Sequence, residues 1–532
     1  MSHSPVPEAF AHLCNLAADE IGTFVVWASD DYFAPKENLL RSDTPVWKEG
    51  EYTDRGKWMD GWESQRMRGP GHDAAILRLG AAGTIEGIVC DTTHFKGNAP
   101  QAVSLEVCAT SHTATPAELL ALPMAKDAAE QAASGGAAWL EVLPHSDVRA
   151  DFPNVLLLPA ATPRATHVRL RIYPDGGVAR LRVYGRAVAE PRTFWQPAAI
   201  DLVALEHGGG VASVSDQFFG PPSNLLLPGR GVNMGDGWET KRRRTPGSDW
   251  CVLRLGRRGV IQRVEIDTHF FKGNAPQATS ILAFDAGADF AERADLDAGV
   301  PLRTDDGWTP VLDQAPLVQH RRHVFEPARP TIATHLRVHI FPHGGVNRMR
   351  VYGVATDTPA EAAKLAALHA MDAEARATLL RSFCASERWV MAMQHALPTR
   401  SVRGLFAAAD DAFAELQDDD WLQAFAAHPR IGNPAKAATA TAQSATWSSG
   451  EQAGVGGAPV DVKARLADGN DAYFNRFGFI FICFATGRSA AQMLDILERR
   501  IRNDRATEIA NAGAEQSRIT RLRVEKWLLA AG

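Results

Sequence analysis

The residues of this chain best suited to bind a small polar anion lie in one eight-residue segment that occurs twice. The segment FKGNAPQA spans 95–102 and again 271–278. An ammonium group and an amide beside a glycine can hold an anion through charge-assisted hydrogen bonds. The alternative is a structural turn that both copies kept, since glycine and proline favour turns. The candidate binding residues are Lys96, Asn98, Gln101, Lys272, Asn274 and Gln277.

A second shared motif, DGWE, supplies carboxylates and is followed by arginine. Glu63 and Glu239 are candidate acid/base groups, and Arg66 and Arg242 could bind a carboxylate with the planar guanidinium fork. A surface salt bridge is the equally plausible alternative for these charges. We expect the two tryptophans of the motif, Trp62 and Trp238, to pack in the core.

Histidine and aspartate also lie near the repeated segment. Asp91 with His94 and Asp267 with His269 suggest a metal site or an acid/base pair. The histidines do not align between the copies, because His94 corresponds to Phe270. We therefore expect no shared metal site, and the sequence calls for no metal or organic cofactor.

A different constellation lies near the C-terminus. His428 in HPRIG follows a segment of helical composition, so it should lie at a helix end beside a loop. Alone, it is more typical of a structural histidine. The segments WSSGEQAG (447–454), FNRFGFIFIC (474–483) and RLRV (521–524) follow it, and together they make a specific set.

The repeated motifs must be positioned by two copies of one domain. Residues 60–102 align without a gap with 236–278 and are identical at 25 of 43 positions. Apolar residues alternate along 74–79, 103–107, 167–173 and 335–341, which predicts half-buried strands. PDGG at 174–177 followed by a further alternating stretch predicts a β-hairpin. Antiparallel β-sandwiches bury such one-faced strands, so the sequence predicts two of them in tandem.

The remainder of the chain has helical composition. Segments 361–382 and 410–427 are predicted helices, and Ser489 with Gln492 forms a capping-box pattern that opens another. A long irregular stretch, 434–459, interrupts them. The sequence therefore predicts three domains, at 1–190, 191–355 and 356–532, of which the last is all-α.

Composition limits the partners. The 56 basic and 62 acidic residues give a net charge of −6, so the chain has no bulk positive field for nucleic acid, and it has no polybasic arm. No apolar run approaches the ~20 residues that a membrane span needs, and no secretory signal is visible. Six scattered cysteines indicate reduced thiols in a cytoplasmic protein. We expect a small-molecule ligand, no nucleic acid, no membrane and possible homo-oligomers.

Residues 20–353 resemble the allantoicase family. The resemblance rests on DGWE, FKGNAPQA and PxGG…RxRVYG, which occur twice in this order. It implies two similar jelly-roll, galactose-binding-like β-sandwich domains that hydrolyse allantoate to ureidoglycolate and urea. Allantoate has one carboxylate and two ureido groups, for which lysine, arginine, asparagine and glutamine are suitable partners.

Residues 365–529 resemble an all-helical family, the decarboxylases of 2-oxo-4-hydroxy-4-carboxy-5-ureidoimidazoline (OHCU). The resemblance places the family's active histidine on His428. It places the family's acid, amide and hydroxyl on Glu451, Gln452 and Ser448. A main-chain contact would lie near Ile482, and the family's arginine falls on Arg523, with Arg521 as the alternative. Histidine titrates near neutrality and could move a proton as carbon dioxide leaves, and arginine could hold the carboxylate.

The two resemblances imply a bifunctional enzyme of purine (urate) catabolism, because both substrates are small ureido acids. The first alternative is a tandem β-sandwich binding module, for instance for carbohydrate, fused to a helical decarboxylase. The second is an inactive, structural allantoicase half.

Overall fold

The computed structural model describes residues 6–290, 293, 295–428, 460–486 and 488–530. The chain divides into two compact units. The β unit comprises Met1–Phe194 and Ala198–Thr356, and the helical unit comprises Trp195–Pro197 and Asp357–Gly532. No described helix is long and apolar enough to cross a membrane.

The first repeat is a β-sandwich organised by one long strand. Its strands are β1 (Cys14–Asn15), β2 (Phe24–Ala28), β3 (Tyr52–Thr53), β4 (Gly56–Lys57), β5 (Trp62–Glu63), β6 (Asp73–Asp91), β7 (Ala102–Cys108), β8 (Met124–Ala125), β9 (Trp139–Asp147), β10 (Pro153–Leu157), β11 (Ala165–Tyr173), β12 (Gly177–Val178) and β13 (Arg180–Ala187). Two short helices, α1 (Pro116–Leu120) and α2 (Ala128–Ala133), lie between β7 and β9. The first half of β6 pairs with β2 and β11, and its second half with β10 and β13. One strand thus belongs to both layers.

The hairpin predicted after 173 is wrong. Strands β11 and β13 both pair with β6, but mainly with its opposite halves, and they do not pair with each other. The PDGG segment instead leads into β12, which begins at its last glycine and forms a two-stranded sheet with β5 of the DGWE motif. Alternation of apolar residues identifies a strand but not its partner.

The second repeat has the same topology. Its strands are β14 (Ile200–Asp201), β15 (Gly210–Val214), β16 (Trp238–Glu239), β17 (Asp249–Asp267), β18 (Ala278–Phe284), β19 (Thr309–Pro316), β20 (Arg322–Phe325), β21 (Thr331–Phe341), β22 (Gly345–Val346) and β23 (Arg348–Ala355). Strand β17 takes the place of β6 and pairs with β15, β20, β21 and β23. Alternate residues of the long strands, such as Leu77 and Leu253, are fully buried in the β core. Burial of each such side chain stabilises the fold by about 1.5–3 kcal/mol.

The described helices of the second unit are α3 (Pro359–Ala370), α4 (Ala373–Phe383), α5 (Glu387–Ala396), α6 (Val402–Ala414), α7 (Asp418–Ala426), α8 (Val460–Phe477), α9 (Ala490–Arg500) and α10 (Arg505–Leu529). The capping box predicted at Ser489 is present at the start of α9. The predicted helix 361–382 is divided between α3 and α4. The predicted irregular stretch 434–459 lies outside the described residues.

Candidate active sites

In the first repeat, three motifs that are distant in sequence meet around one carboxylate. Glu63 lies on β5, opposite Gly177 of the PDGG segment on β12. Asn98 of the FKGNAPQA segment donates its side-chain N–H to Glu63 Oε1 at 2.7 Å. The backbone N–H of Gly177 donates to the Asn98 carbonyl oxygen, also at 2.7 Å. Hydrogen bonds therefore join the FKGNAPQA turn, Glu63 and the PDGG segment into one site.

The second repeat reproduces this arrangement. Asn274 donates its side-chain N–H to Glu239 Oε1 at 2.6 Å, and Gly345 donates its backbone N–H to the Asn274 carbonyl at 2.9 Å. Each repeat thus holds an acid–amide pair at the same place. The tryptophans beside the acids, Trp62 and Trp238, are fully buried as expected.

Glycine is required beside the acid–amide pair. A Cβ atom on Gly177 would lie 1.9 Å from the Phe95 ring, and one on Gly345 would lie 1.8 Å from the Phe271 ring. Both distances are far below van der Waals contact. The phenylalanine of FKGNAPQA therefore leaves room only for glycine at the second glycine position of PxGG. This close packing fixes the turn against β12 and β22.

Burial raises the pKa of the Glu63 carboxyl above its usual value, while the hydrogen bond from Asn98 opposes this effect. A carboxyl with a raised pKa can exchange a proton closer to neutrality than an exposed one. Glu63 is therefore suited to acid/base chemistry, as its position in DGWE suggested.

The two repeats differ in the residue that faces the turn lysine. In the first repeat, Asp151 accepts the backbone N–H of His94 at 2.8 Å and lies 3.7 Å from Lys96 Nζ. In the second repeat, His320 Nδ1 accepts the backbone N–H of Phe270 at 2.9 Å in the same way. All four of the residues joined by these two backbone contacts have left-handed φ angles between 52° and 73°. Asp151 and His320 therefore occupy equivalent positions.

The second repeat consequently carries a cluster of basic side chains around its turn. The His269 and His320 rings stack with centroids 4.1 Å apart, and Arg230 lies 3.2 Å from His269 Nδ1. Desolvation lowers the pKa of His320, the nearby basic groups His269, Lys272 and Arg230 lower it further, and the Asp267 carboxylate opposes them. Among the described residues, no carboxylate lies within 4.0 Å of Lys272 Nζ. Asp151 lies within ion-pair distance of the lysine of the first repeat, whereas the described residues of the second repeat place no acid within that distance of Lys272.

The other candidates from these motifs are less closely integrated. The side chains of Arg66, Arg242, Gln101 and Gln277 are exposed, as are those of Lys96 and Lys272. Asp91 and Asp267 each accept a backbone N–H two residues ahead, so they stabilise the turn. Within the described ranges, no group of three histidine, cysteine or acidic residues could hold a metal ion.

Sequence reasoning missed the buried ion-pair network that supports the first site. The Arg180 side chain is fully buried and donates to Asp60 Oδ2 at 2.8 Å and to Asp43 Oδ1 at 3.0 Å. Asp60 opens the DGWE motif, so this network holds the strand that carries Glu63. In the second repeat, Arg348 donates to the Asp236 backbone carbonyl. The sequence does contain a sign of this contact, because the arginine of RxRVYG and the aspartate of DGWE occur in both copies.

In the helical unit, His428 lies just after α7 and reaches α10. Its Nε2 lies 2.7 Å from Gln516 Oε1, and its backbone N–H donates to the Phe425 carbonyl. Burial lowers the pKa of His428 to about 3, and the nearby Arg523 cation adds to this effect. We expected a histidine that titrates near neutrality; the environment instead keeps the ring neutral, because both desolvation and a neighbouring cation disfavour its protonation.

The structure separates the two candidate arginines. Arg523 is buried on α10, seven residues after Gln516, where it acts electrostatically on His428 and donates to the Ser382 carbonyl. Arg521 points elsewhere: its guanidinium lies over the Phe406 ring and pairs with Glu525. Helical periodicity places residues seven apart on one face, so Arg523 shares the face of Gln516.

A hydrogen bond from a neighbouring arginine holds the segment that contains the predicted main-chain contact at Ile482. The Ile482 carbonyl accepts a hydrogen bond from Arg500 at 2.8 Å, and Arg500 pairs with the buried Glu508 at 2.9 Å. The remaining candidates of this unit, Ser448, Glu451 and Gln452, lie outside the described residues.

Two tandem β-sandwiches with matching acid–amide pairs, followed by a helical unit with a buried His–Gln–Arg constellation, define a two-part enzyme. The model of the family described as Allantoicase repeat matches residues 14–188 and 200–356, and that of OHCU decarboxylase matches 369–525. The chain belongs to the allantoicase family and carries an OHCU decarboxylase domain after the two repeats.

Individual relatives agree with this assignment. A probable allantoicase from Pseudomonas paraeruginosa is 42% identical over 353 residues, which covers 66% of this chain and 97% of the relative. The crystal structure of allantoicase from Saccharomyces cerevisiae is 32% identical, with a TM-score of 0.50, over 64% of this chain and 93% of that chain. A crystal structure of OHCU decarboxylase in the presence of (S)-allantoin is 30% identical over 30% of this chain and all of that chain, with a TM-score of 0.25.

Membership of these families makes the chain a bifunctional enzyme of purine catabolism. The fold of two antiparallel β-sandwich domains followed by helices is confirmed. The alternative of a carbohydrate-binding module fused to a decarboxylase is not favoured.

Proposed function

We propose that the β unit hydrolyses allantoate to ureidoglycolate and urea, and that the helical unit decarboxylates OHCU to allantoin, each with its own residues. One observation in each unit supports the proposal: the repeated acid–amide pair in the β unit and His428 beside Arg523 in the helical unit.

For decarboxylation, the site must hold a carboxylate and supply a proton. The bond between the ring carbon and the carboxylate carbon breaks, its electron pair moves into the substrate ring, and one proton is taken up. A neutral His428 can accept and return a proton, and Arg523 can hold the carboxylate or the developing charge. We further propose that Glu451 shares the proton transfer with His428 and that Gln452, Ser448 and the main chain at Ile482 bind the ureido group.

For allantoate hydrolysis, we propose Glu63 and Glu239 as acid/base candidates, with Asn98 and Asn274 presenting amide groups to ureido nitrogens and oxygens. The second repeat is the better candidate for binding the substrate carboxylate. It has Lys272 with Arg230 and two histidines nearby, whereas Lys96 is already paired with Asp151. Arg66, Arg242, Gln101 and Gln277 stay predicted contacts at the exposed rim.

The test uses the full chain with two assays, urea release from allantoate and carbon dioxide release from OHCU. Wild-type protein should perform both reactions. The double variant Lys96→Ala/Lys272→Ala should lose most urea release and keep decarboxylation. Wild-type urea release in that variant would remove the FKGNAPQA lysines from the site, and absence of urea release from the wild type would support a purely structural β unit.

We also propose the domain boundaries 1–190, 191–355 and 356–532, and a cytoplasmic location. The location is supported by the six cysteines, all of which are unpaired. Homo-oligomer formation stays a prediction.

A further inference from the structure

The hydrogen bonds behind His428 form a chain with a fixed direction. His428 Nε2 lies 2.7 Å from Gln516 Oε1, Gln516 Nε2 lies 3.2 Å from Thr520 Oγ1, and Thr520 Oγ1 lies 3.2 Å from the Phe383 backbone carbonyl oxygen. Gln516 and Thr520 are buried, at 0% and 1% exposure, one turn apart on α10. Buried polar side chains are nearly always hydrogen-bonded, so these contacts should persist in the folded protein.

The direction follows from the last member of the chain. A backbone carbonyl can only accept, so the Thr520 hydroxyl donates its one proton to Phe383. The lone pairs of that hydroxyl then face Gln516, which must present its NH₂ group to them. The Gln516 carbonyl oxygen is thereby turned towards His428, and it can only accept. The proton between them belongs to His428 Nε2.

The neighbours of the chain agree with this direction. The Cys384 thiol lies beside Thr520, and burial raises the pKa of that thiol to about 11, so it remains a protonated donor at neutral pH. The Arg523 guanidinium, which also lies near His428, carries only donors. Its positive charge disfavours a second proton on the ring.

We infer that Gln516 is a positioning residue that holds His428 in the Nε2–H tautomer, so that Nδ1 is the atom through which the decarboxylation proton passes. This inference rests on the proposed role of His428. Gln516 itself does not touch the substrate in this account. It acts as the fixed acceptor that decides which ring nitrogen is basic, as second-shell acceptors do for other functional histidines.

The direct test is ¹⁵N NMR of the full chain with labelled histidine, with the His428 signals assigned by their loss in His428→Asn. The inference predicts the shift of a protonated nitrogen for Nε2 and of an unprotonated one for Nδ1 at neutral pH. A protonated Nδ1 with an unprotonated Nε2 would overturn it whatever the activity. Wild-type decarboxylation by His428→Asn would instead refute the proposed function.

Kinetics of Gln516 variants supply the second test. Gln516→Leu should lower kcat for decarboxylation about tenfold with KM nearly unchanged, because the ring loses its acceptor. Gln516→Glu keeps the acceptor and should retain the tautomer, while its carboxylate raises the pKa of His428 and moves the acidic limb of the pH profile upwards.

Thr520 offers a matched pair of controls. Thr520→Val removes the acceptor that orients the Gln516 amide. It should therefore lower kcat and leave His428 populating both tautomers. Thr520→Ser keeps the hydroxyl and should have the wild-type kcat and the Nε2–H tautomer. Circular dichroism at the helical minimum and thermal unfolding report whether the helical unit of each variant is folded. Equal kcat for Gln516→Leu and wild type, or equal loss in Thr520→Ser and Thr520→Val, would overturn the inference.

Discussion

His320→Asp should weaken allantoate binding by the second repeat without disturbing the turn. The variant copies the arrangement of the first repeat, in which Asp151 occupies the equivalent left-handed position and accepts the same backbone N–H. Aspartate tolerates that conformation well. The new carboxylate would stand beside Lys272, which has none within ion-pair distance in the described structure.

The expected size of the effect follows from the first repeat. The Lys96 Nζ to Asp151 Oδ2 distance is 3.7 Å, and two unit charges about that far apart in water attract with about 1 kcal/mol. Exposed pairs realise about 0.2–1 kcal/mol of this because salt and side-chain entropy reduce it. A substrate carboxylate that must displace such a pair should therefore bind about 1.4- to fivefold more weakly, by the conversion of about 1.4 kcal/mol per factor of ten.

The assay is urea release from allantoate at several ionic strengths. We expect KM to rise about 1.4- to fivefold in His320→Asp, with kcat nearly unchanged and with a smaller effect at high salt. Asp151→His is the matched variant and should leave KM unchanged or lower it. A raised KM in Asp151→His together with an unchanged KM in His320→Asp would refute the assignment of carboxylate binding to the second repeat.

Three further predictions address the rest of the molecule. Arg523→Lys should reduce decarboxylation at least tenfold, because it loses a planar buried donor, while Arg521→Lys should keep activity; equal losses would contradict the separation of the two arginines. Because the pKa of His428 is about 3, below its usual 6.5, the ring should stay neutral and decarboxylation should show no histidine limb between about pH 7 and pH 5. The unfolded chain binds a proton below about pH 6.5 that the folded chain does not, so this histidine should lower the free energy of unfolding, measured by urea denaturation, as the pH falls from about 6.5 towards 3. Gly177→Ala should destabilise the β unit by about 1–3 kcal/mol in thermal unfolding, whereas Gly97→Ala in the adjoining turn, where a Cβ meets nothing within 4 Å, should change little.

Much of the architecture could be predicted because the duplication is visible in the sequence. Each motif that recurs in both copies, DGWE, FKGNAPQA and PxGG, has a place in the observed acid–amide structure. The pairing of Glu63 with Asn98 could not be predicted, since it depends on which strands become neighbours. The same limitation explains the wrong hairpin: β11 and β13 contact different halves of one long strand, and local alternation contains no information on that choice.

The helical site shows a different limit. His428 and Arg523 can be predicted as site residues because they lie in segments that resemble those of the decarboxylase family. Gln516 was missed because it lies 88 residues from His428 in the chain, and glutamine on a helix is unremarkable in composition. The neutral state of His428 was also missed, because a pKa depends on burial and on the Arg523 charge, which only the fold brings close.

The two reactions are not consecutive. The helical unit yields allantoin, and the β unit consumes allantoate, so a ring-opening hydrolysis must come between them. Direct transfer of one product to the other site has no chemical basis, and fusion more simply fixes the two activities in equal amounts.

The central claim is that one chain holds two independent sites, and a crossed pair of variants tests it most directly. His428→Asn and the double variant Glu63→Gln/Glu239→Gln should be measured in both assays on the full chain. We expect His428→Asn to lose carbon dioxide release and keep urea release, and the double variant to lose urea release and keep carbon dioxide release. Loss of both activities in either folded variant, or of neither, would contradict it.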